Sequence, residues 1–212
     1  MANLFIGIGG GTASGKTTLA AALALRLPKN QVQVVSLDWY YRNHSRLSLG
    51  ERALINYDHP NAFDFNLLNR QLWNLRQHGR SVRAPSYDFA THARGEKKHL
   101  LKPGRTTIVE GILALHWPKV RDAFDCKVFV ESDESVRFAR RLKRDVAERG
   151  RTAESVQAQW YATVKPMYDE YCAPSSRWAD VVVSGEAAID DSVNKVRLTL
   201  RDLKLPALGE NI

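Results

Sequence analysis

Apolar residues along the chain fall into two alternating kinds of segment. Short runs at residues 4–8, 32–37, 106–110, 127–130 and 180–183 are rich in β-branched residues and almost continuously hydrophobic, as strands covered on both faces are. Between them lie longer stretches with helical spacing at 16–27, 65–77, 134–148, 153–171 and 189–203. In the second of these Leu68, Leu72 and Leu75 recur at i, i+4 and i+7. The alternation predicts βαβ units and an α/β fold with a mainly parallel core sheet flanked by helices. Residues 81–101 break the pattern with short alternating segments around Pro85 and Gly95, which predicts a β-hairpin region at about 81–102 beside the sheet. Residues 43–64 read as irregular apart from one short helix at 48–55, and an irregular stretch this long is more often functional than idle. No repeat or linker divides the chain, so one domain over 1–212 is expected.

Composition narrows the class. With 212 residues, 44% hydrophobic and 25% charged, the chain is neither disordered, collagenous nor coiled-coil. No apolar run approaches the ~20 residues of a spanning helix, and the N-terminus has no basic segment before its apolar one. The two cysteines, Cys126 and Cys172, have no metal-ligand spacing, so a reducing, cytoplasmic setting is expected and no membrane partner.

The chemistry begins at Gly10-Gly11-Thr12-Ala13-Ser14-Gly15-Lys16-Thr17, which fits G-x-x-x-x-G-K-[ST] without a gap and is followed by Thr18. An apolar strand pattern precedes it and an alanine- and leucine-rich helical one follows. Such a loop turns backbone N–H groups onto phosphate oxygens at a helix N-terminus. Lys16 is placed to reach the β- and γ-phosphates and Thr17 to offer its hydroxyl to Mg²⁺. Two acids close strands beside it: Asp38 after the second, placed to accept a proton or hold a metal-bound water, and Glu110 at the end of the third, placed to order the Mg²⁺ shell.

The net charge of +8 is concentrated: residues 137–151 hold seven of the 31 basic residues against two acids. Arg137, Arg140, Arg141 and Arg144 follow i, i+3, i+4, i+7 and share a helix face, with Arg149 and Arg151 beyond. Four guanidiniums on one stripe repel unless an anion joins them. A solvated face is the ordinary fate of such a run, and a nucleic-acid stripe is the rival reading. The phosphate cradle favours a lid at about 137–152 that closes over a triphosphate, and the scarcity of interleaved aromatics argues against nucleic acid as a partner.

Together GGGTASGKTT, SLDWYY, NYDHPNAFDF, YDFATHAR, IVEGIL and RRLKRDVAERGRT resemble the uridine–cytidine kinase family of P-loop kinases, in the family's order from about residue 6 to 183. The resemblance implies transfer of the γ-phosphoryl group of ATP or GTP, with Mg²⁺, to the 5′-hydroxyl of uridine or cytidine, in pyrimidine salvage. It makes Asp38 the general base, with Lys16 and Arg144 acting on the transferring phosphoryl group. It implies nucleoside contacts from Tyr41, Asp58, Tyr87, His92, Arg141, Arg151 and Gln159, donor binding by Gly10 to Thr18, metal contacts from Thr17, Glu110 and Asp38, and a homotetramer. Two departures stand out. Trp39 follows the aspartate where smaller or differently shaped residues are usual, and Ser184-Gly185-Glu186 replaces a Pro-Arg-Gly run near the donor base.

Overall fold

The computed structural model describes residues 4–27 and 30–206. Five parallel strands form the core: β1 (Phe5–Gly10), β2 (Val32–Ser36), β5 (Thr106–Glu110), β6 (Cys126–Glu131) and β7 (Val181–Ser184), in the order β2-β5-β1-β6-β7. Placing β1 centrally puts its outgoing loop at the middle of the carboxyl edge. Register sets the neighbours, Ile8 opposite both Glu110 and Val128. Alternate residues feed two hydrophobic clusters. On one face Ile6, Ile8, Ile108 and Val128 meet Leu19 and Leu23 of α1 (Lys16–Leu25) and Val193, Val196 and Leu200 of α8 (Ile189–Asp202). On the other, Phe5, Val35, Val109 and Phe129 meet Leu68, Leu72 and Leu75 of α3 (Phe65–Gln77) and Phe124 behind the short α4 (Pro118–Arg121).

The hairpin is separate from this sheet: β3 (Val82–Asp88) pairs antiparallel with β4 (Ala93–Leu101), and the register shifts between Ala84 and Ser86, around Pro85, which cannot donate to the ladder. The helix in the irregular region is α2 (Leu49–Ala53), closed by a reciprocal capping box between Ser48 and Glu51. The arginine-bearing segment is α5 (Glu134–Arg149), ended by Gly150 in the left-handed conformation.

Three elements differ from expectation. Leu37 leaves β2 and opens a 3₁₀ turn, Leu37–Tyr40, whose start is held by Ser36 Oγ accepting from Asp38 N–H. The chain from Ala153 is not one uniform helix. After α6 (Ala153–Gln159) come a π-helical stretch Trp160–Val164, a single α turn α7 (Lys165–Met167) and a second π stretch Tyr168–Cys172. Pro166 lacks an N–H, and wide turns on either side accommodate the break. Finally Arg137 does not line a ligand cavity. It is 3% exposed, with its guanidinium 3.8 Å from the Tyr168 ring centroid and its Nε donating to Ser132 O at 3.2 Å.

Leu68 is fully buried on α3, so Leu68→Ala is expected to lower the unfolding free energy by about 2–5 kcal/mol in denaturant titration.

Candidate functional site

The loop after β1 turns sharply enough that Gly15, the N-cap of α1, sits at φ +102° and Ala13 at φ +58°. Gly15 adopts this region freely, whereas Ala13 carries strain, as residues at ligand sites often do. Thr12, Ala13, Gly15, Lys16, Thr17 and Thr18 line a cavity of about 980 Å³ across the carboxyl edge of the sheet. Gly10, Gly11 and Ser14 lie beneath, Ser14 fully buried. Arg137 braces this underside: a Cβ on Gly11 would stand 2.6 Å from its Nη1. Lys16 Nζ donates to Gly11 O at 2.6 Å, and burial lowers its proton affinity while Glu110 and Asp38 oppose the shift.

Asp38 and Glu110 reach the same cavity from adjacent strand ends, and Thr17 Oγ1 donates to Glu110 Oε2 at 3.3 Å. Burial raises the proton affinity of both carboxyls. Lys16, Arg149 and Arg144 oppose this at Asp38, and Lys16 opposes it at Glu110. A hydroxyl with two desolvated carboxylates is a hard, all-oxygen donor set that suits Mg²⁺, which keeps waters and ligand phosphates in its shell. Among the described residues no cage of three or more His, Cys, Asp or Glu side chains exists, as such a water-rich site needs none.

The far end of the cavity is aromatic. Tyr41, on the chain leaving the 3₁₀ turn, packs at 4.8 Å from Tyr87 of β3 and 5.1 Å edge-on to Tyr57. Tyr57 stacks on His92 at 5.2 Å, and His92 is held at φ +49° in the hairpin turn. Asp58, at the floor of this cage, is raised by burial and opposed chiefly by Arg141. His92 is lowered by burial and by Arg151 and Arg52, so its neutral form prevails. Arg94 ties the hairpin down, donating to Tyr41 O at 2.8 Å and pairing with Asp64 at 3.2 Å. Trp39 has a local role too: its indole stacks on His99 of β4 at 3.8 Å, nearly parallel, joining the Asp38 turn to the hairpin.

Arg140, Arg141, Arg144, Arg149 and Arg151 line the roof. Arg141 donates to Thr12 Oγ1 at 3.1 Å and to Gln159 Oε1 at 2.9 Å; Arg151 donates to the same Gln159 oxygen. The anion that joins these cations is Asp145, fully buried, with Arg141, Arg144, Arg149 and Arg151 all within 4 Å. Its spacing, four residues after Arg141 and four before Arg149, is the signal that points to it. Tyr57 was also absent from the expected set, though it adjoins Asp58. Arg149 further contacts the Phe89 ring at 4.3 Å, bringing the end of α5 onto the hairpin turn.

The model of the phosphoribulokinase/uridine kinase family matches residues 5–190. The chain belongs to that family. It is 44% identical over 206 residues to a uridine kinase of Lactobacillus johnsonii, covering 95% of this chain and 97% of that one. It is 42% identical over 201 residues to a uridine kinase of Clostridium perfringens, covering 93% and 96%. Among solved structures, the phosphoribulokinase of Rhodobacter spheroides superposes with a TM-score of 0.66 at 14% identity, over 86% of this chain and 70% of that one, a likeness of fold. Among the described residues no helix is long and apolar enough to cross a membrane.

In this family member the segment after β7 lies against the cradle. A Cβ on Gly185 would stand 1.8 Å from Ser14 O, while Arg140 donates to Gly185 O at 2.9 Å and Glu186 Oε1 accepts from Ser132 Oγ and Asp133 N–H. Gly185→Ala must therefore push on the loop backbone. We expect it to weaken magnesium–ATP binding at least about tenfold in calorimetry, with far-ultraviolet circular dichroism unchanged; parental affinity would show that the loop yields elsewhere.

Proposed function

We propose that this chain is a uridine–cytidine kinase that transfers the γ-phosphoryl group of ATP or GTP to the 5′-hydroxyl of the nucleoside, giving UMP or CMP in pyrimidine salvage. The observation that carries the reading is a single cavity with a phosphate cradle at one end, an aromatic cage with Asp58 at the other, and Asp38 between them. Near-full-length identity of 44% to a uridine kinase supports the same acceptor.

In this reading the loop amides and Lys16 hold the triphosphate, and Thr17 with Glu110 and Asp38 would hold Mg²⁺, which neutralises charge on the phosphates and aligns them. Asp58 accepts hydrogen bonds from the ribose diol. Tyr41, Tyr87 and His92 surround the pyrimidine, with Arg141, Arg151 and Gln159 completing the nucleoside wall. His92 offers a donor or an acceptor according to tautomer, which suits both uracil and cytosine. Asp38 takes the 5′-hydroxyl proton as its oxygen attacks, and its raised proton affinity makes it a better acceptor than a solvated carboxylate. Arg144 faces the transferring group. The roof of arginines excludes water and so limits loss of the phosphoryl group to hydrolysis.

The direct test is ADP release with magnesium–ATP in the presence of uridine, cytidine, ribulose 5-phosphate, pantothenate or single-stranded RNA. Turnover with the two nucleosides alone is expected; stimulation by RNA and silence with both nucleosides would assign the arginines to nucleic acid instead. Asp38→Asn is expected to lower kcat by roughly 10²–10⁴-fold with little change in uridine KM, and a kcat within a few fold of the parent would remove Asp38 as the base.

The pH dependence of KM follows from His92 and Asp58. Burial with Arg151 and Arg52 lowers the His92 pKa from the ordinary histidine value, so uridine KM should stay flat from neutral pH upward and rise on acidification, where protonation of Asp58, raised by burial, adds to that of the ring. His92→Gln, which cannot gain a proton, should remove the imidazole's share of the acid rise and leave that of Asp58.

A further inference from the structure

The carboxylate of Asp145 is divided between two pairs of cations. Oδ1 takes Arg144 at 2.8 Å and Arg149 at 3.6 Å; Oδ2 faces Arg141 at 3.4 Å and Arg151 at 3.9 Å. The four cations between them reach both ends of the cavity. Arg144 and Arg149 act on Asp38 beside the cradle, Arg144 also on Asp58, and Arg149 reaches the Phe89 ring of the hairpin turn at 4.3 Å. Arg141 is the chief cation opposing Asp58, and it and Arg151 share Gln159 Oε1. The Oδ2 side is loosely made: neither Asp145 Oδ2 nor Arg141 Nε has a hydrogen-bonding partner, although both are buried. A buried carboxylate with four cations around it is costly to desolvate and gains only from the partners it keeps, so the two pairs compete for one charge.

We propose that Asp145 is a positioning residue that couples donor binding to nucleoside binding. The proposal rests on the nucleoside kinase reading above. A triphosphate in the cradle offers Arg144 and Arg149 a second set of anionic oxygens. As they turn to it, the charge of Asp145 is left to Arg141 and Arg151, which close onto Oδ2 and fix the wall that Gln159 and Asp58 share. Arg141 also donates to Thr12 Oγ1 in the cradle, so the same movement is felt at the loop. By linkage the effect is reciprocal: bound nucleoside tightens donor binding by the same factor.

Calorimetric binding of uridine to the whole chain tests this, with and without the magnesium complex of the β,γ-imido analogue of ATP. The imido triphosphate is expected to lower the uridine Kd of the parent by about fivefold or more, and magnesium–ADP, which lacks the γ-phosphate, by clearly less. In Asp145→Asn, close to isosteric but uncharged, uridine should still bind while the factor collapses to about one; Asp145→Glu, which restores the charge, should recover part of it. A residue that only held α5 in place would alter stability and both affinities without selectively removing their interdependence. An unchanged factor in Asp145→Asn overturns the proposal. So does a parent in which ADP and the imido triphosphate act alike, or in which neither acts, whether or not the variant folds. A parent that binds no uridine at all would instead overturn the nucleoside kinase reading.

Discussion

Charge balance in a partly enclosed cleft governs this structure. Lys16 and four of the arginines converge on a space where burial opposes the charged forms of Lys16, Asp38, Asp58 and Glu110, and these three carboxylates with Asp145 are the counter-charges that make their company tolerable. A polyphosphate needs the cations; a hydroxyl acceptor needs at least one of the carboxylates basic. Burial serves both needs, since it raises Asp38 and Glu110 while keeping Lys16 close enough to limit the rise. Of the four carboxylates, Asp145 alone is fully sequestered, and it is the one that answers to the arginines only.

The fold delivers these charges by simple means. Parallel strands end at one edge, so the residues just beyond β1, β2 and β5 meet there without long connections. The aromatic cage needs more construction. It is carried by a hairpin outside the sheet, which is fastened to the Asp38 turn by Trp39 on His99 and by Arg94 on Tyr41 and Asp64. On the opposite side, Arg137 and the π-helical stretches brace the cradle from below. Tyr168 and Cys172 lie there, the Cys172 thiol pushed up to about 12 by burial and so kept un-ionised.

Much of this was legible before any coordinates. Leu68, Leu72 and Leu75 report one face of α3, and its bounds are as read. The strand at Thr106–Glu110 also coincides, because β-branched residues ended by an acid leave little choice. The cradle is legible because its spacing encodes a backbone shape. Asp145 and Tyr57 escaped notice, and what Arg137, Arg141 and Trp39 touch is set across the fold rather than along the chain. Arg137 and Arg141 look alike in a helical stripe, yet both turn inward toward the chain from Ala153 onward, Arg137 onto Tyr168 beneath the cradle and Arg141 onto Gln159. Trp39 reads as an oddity until His99 comes up beside it from a strand sixty residues away. The π-helical turns have no periodicity of their own; only the conflict between Pro166 and a continuous helix hints at them.

The central claim is that this cleft delivers phosphate to a nucleoside rather than to water. It is tested most directly by counting ADP and nucleoside 5′-monophosphate in one reaction with magnesium–ATP and uridine. The account predicts equal amounts of ADP and UMP, and almost no ADP when uridine is left out. Steady ADP release without a matching monophosphate would contradict it.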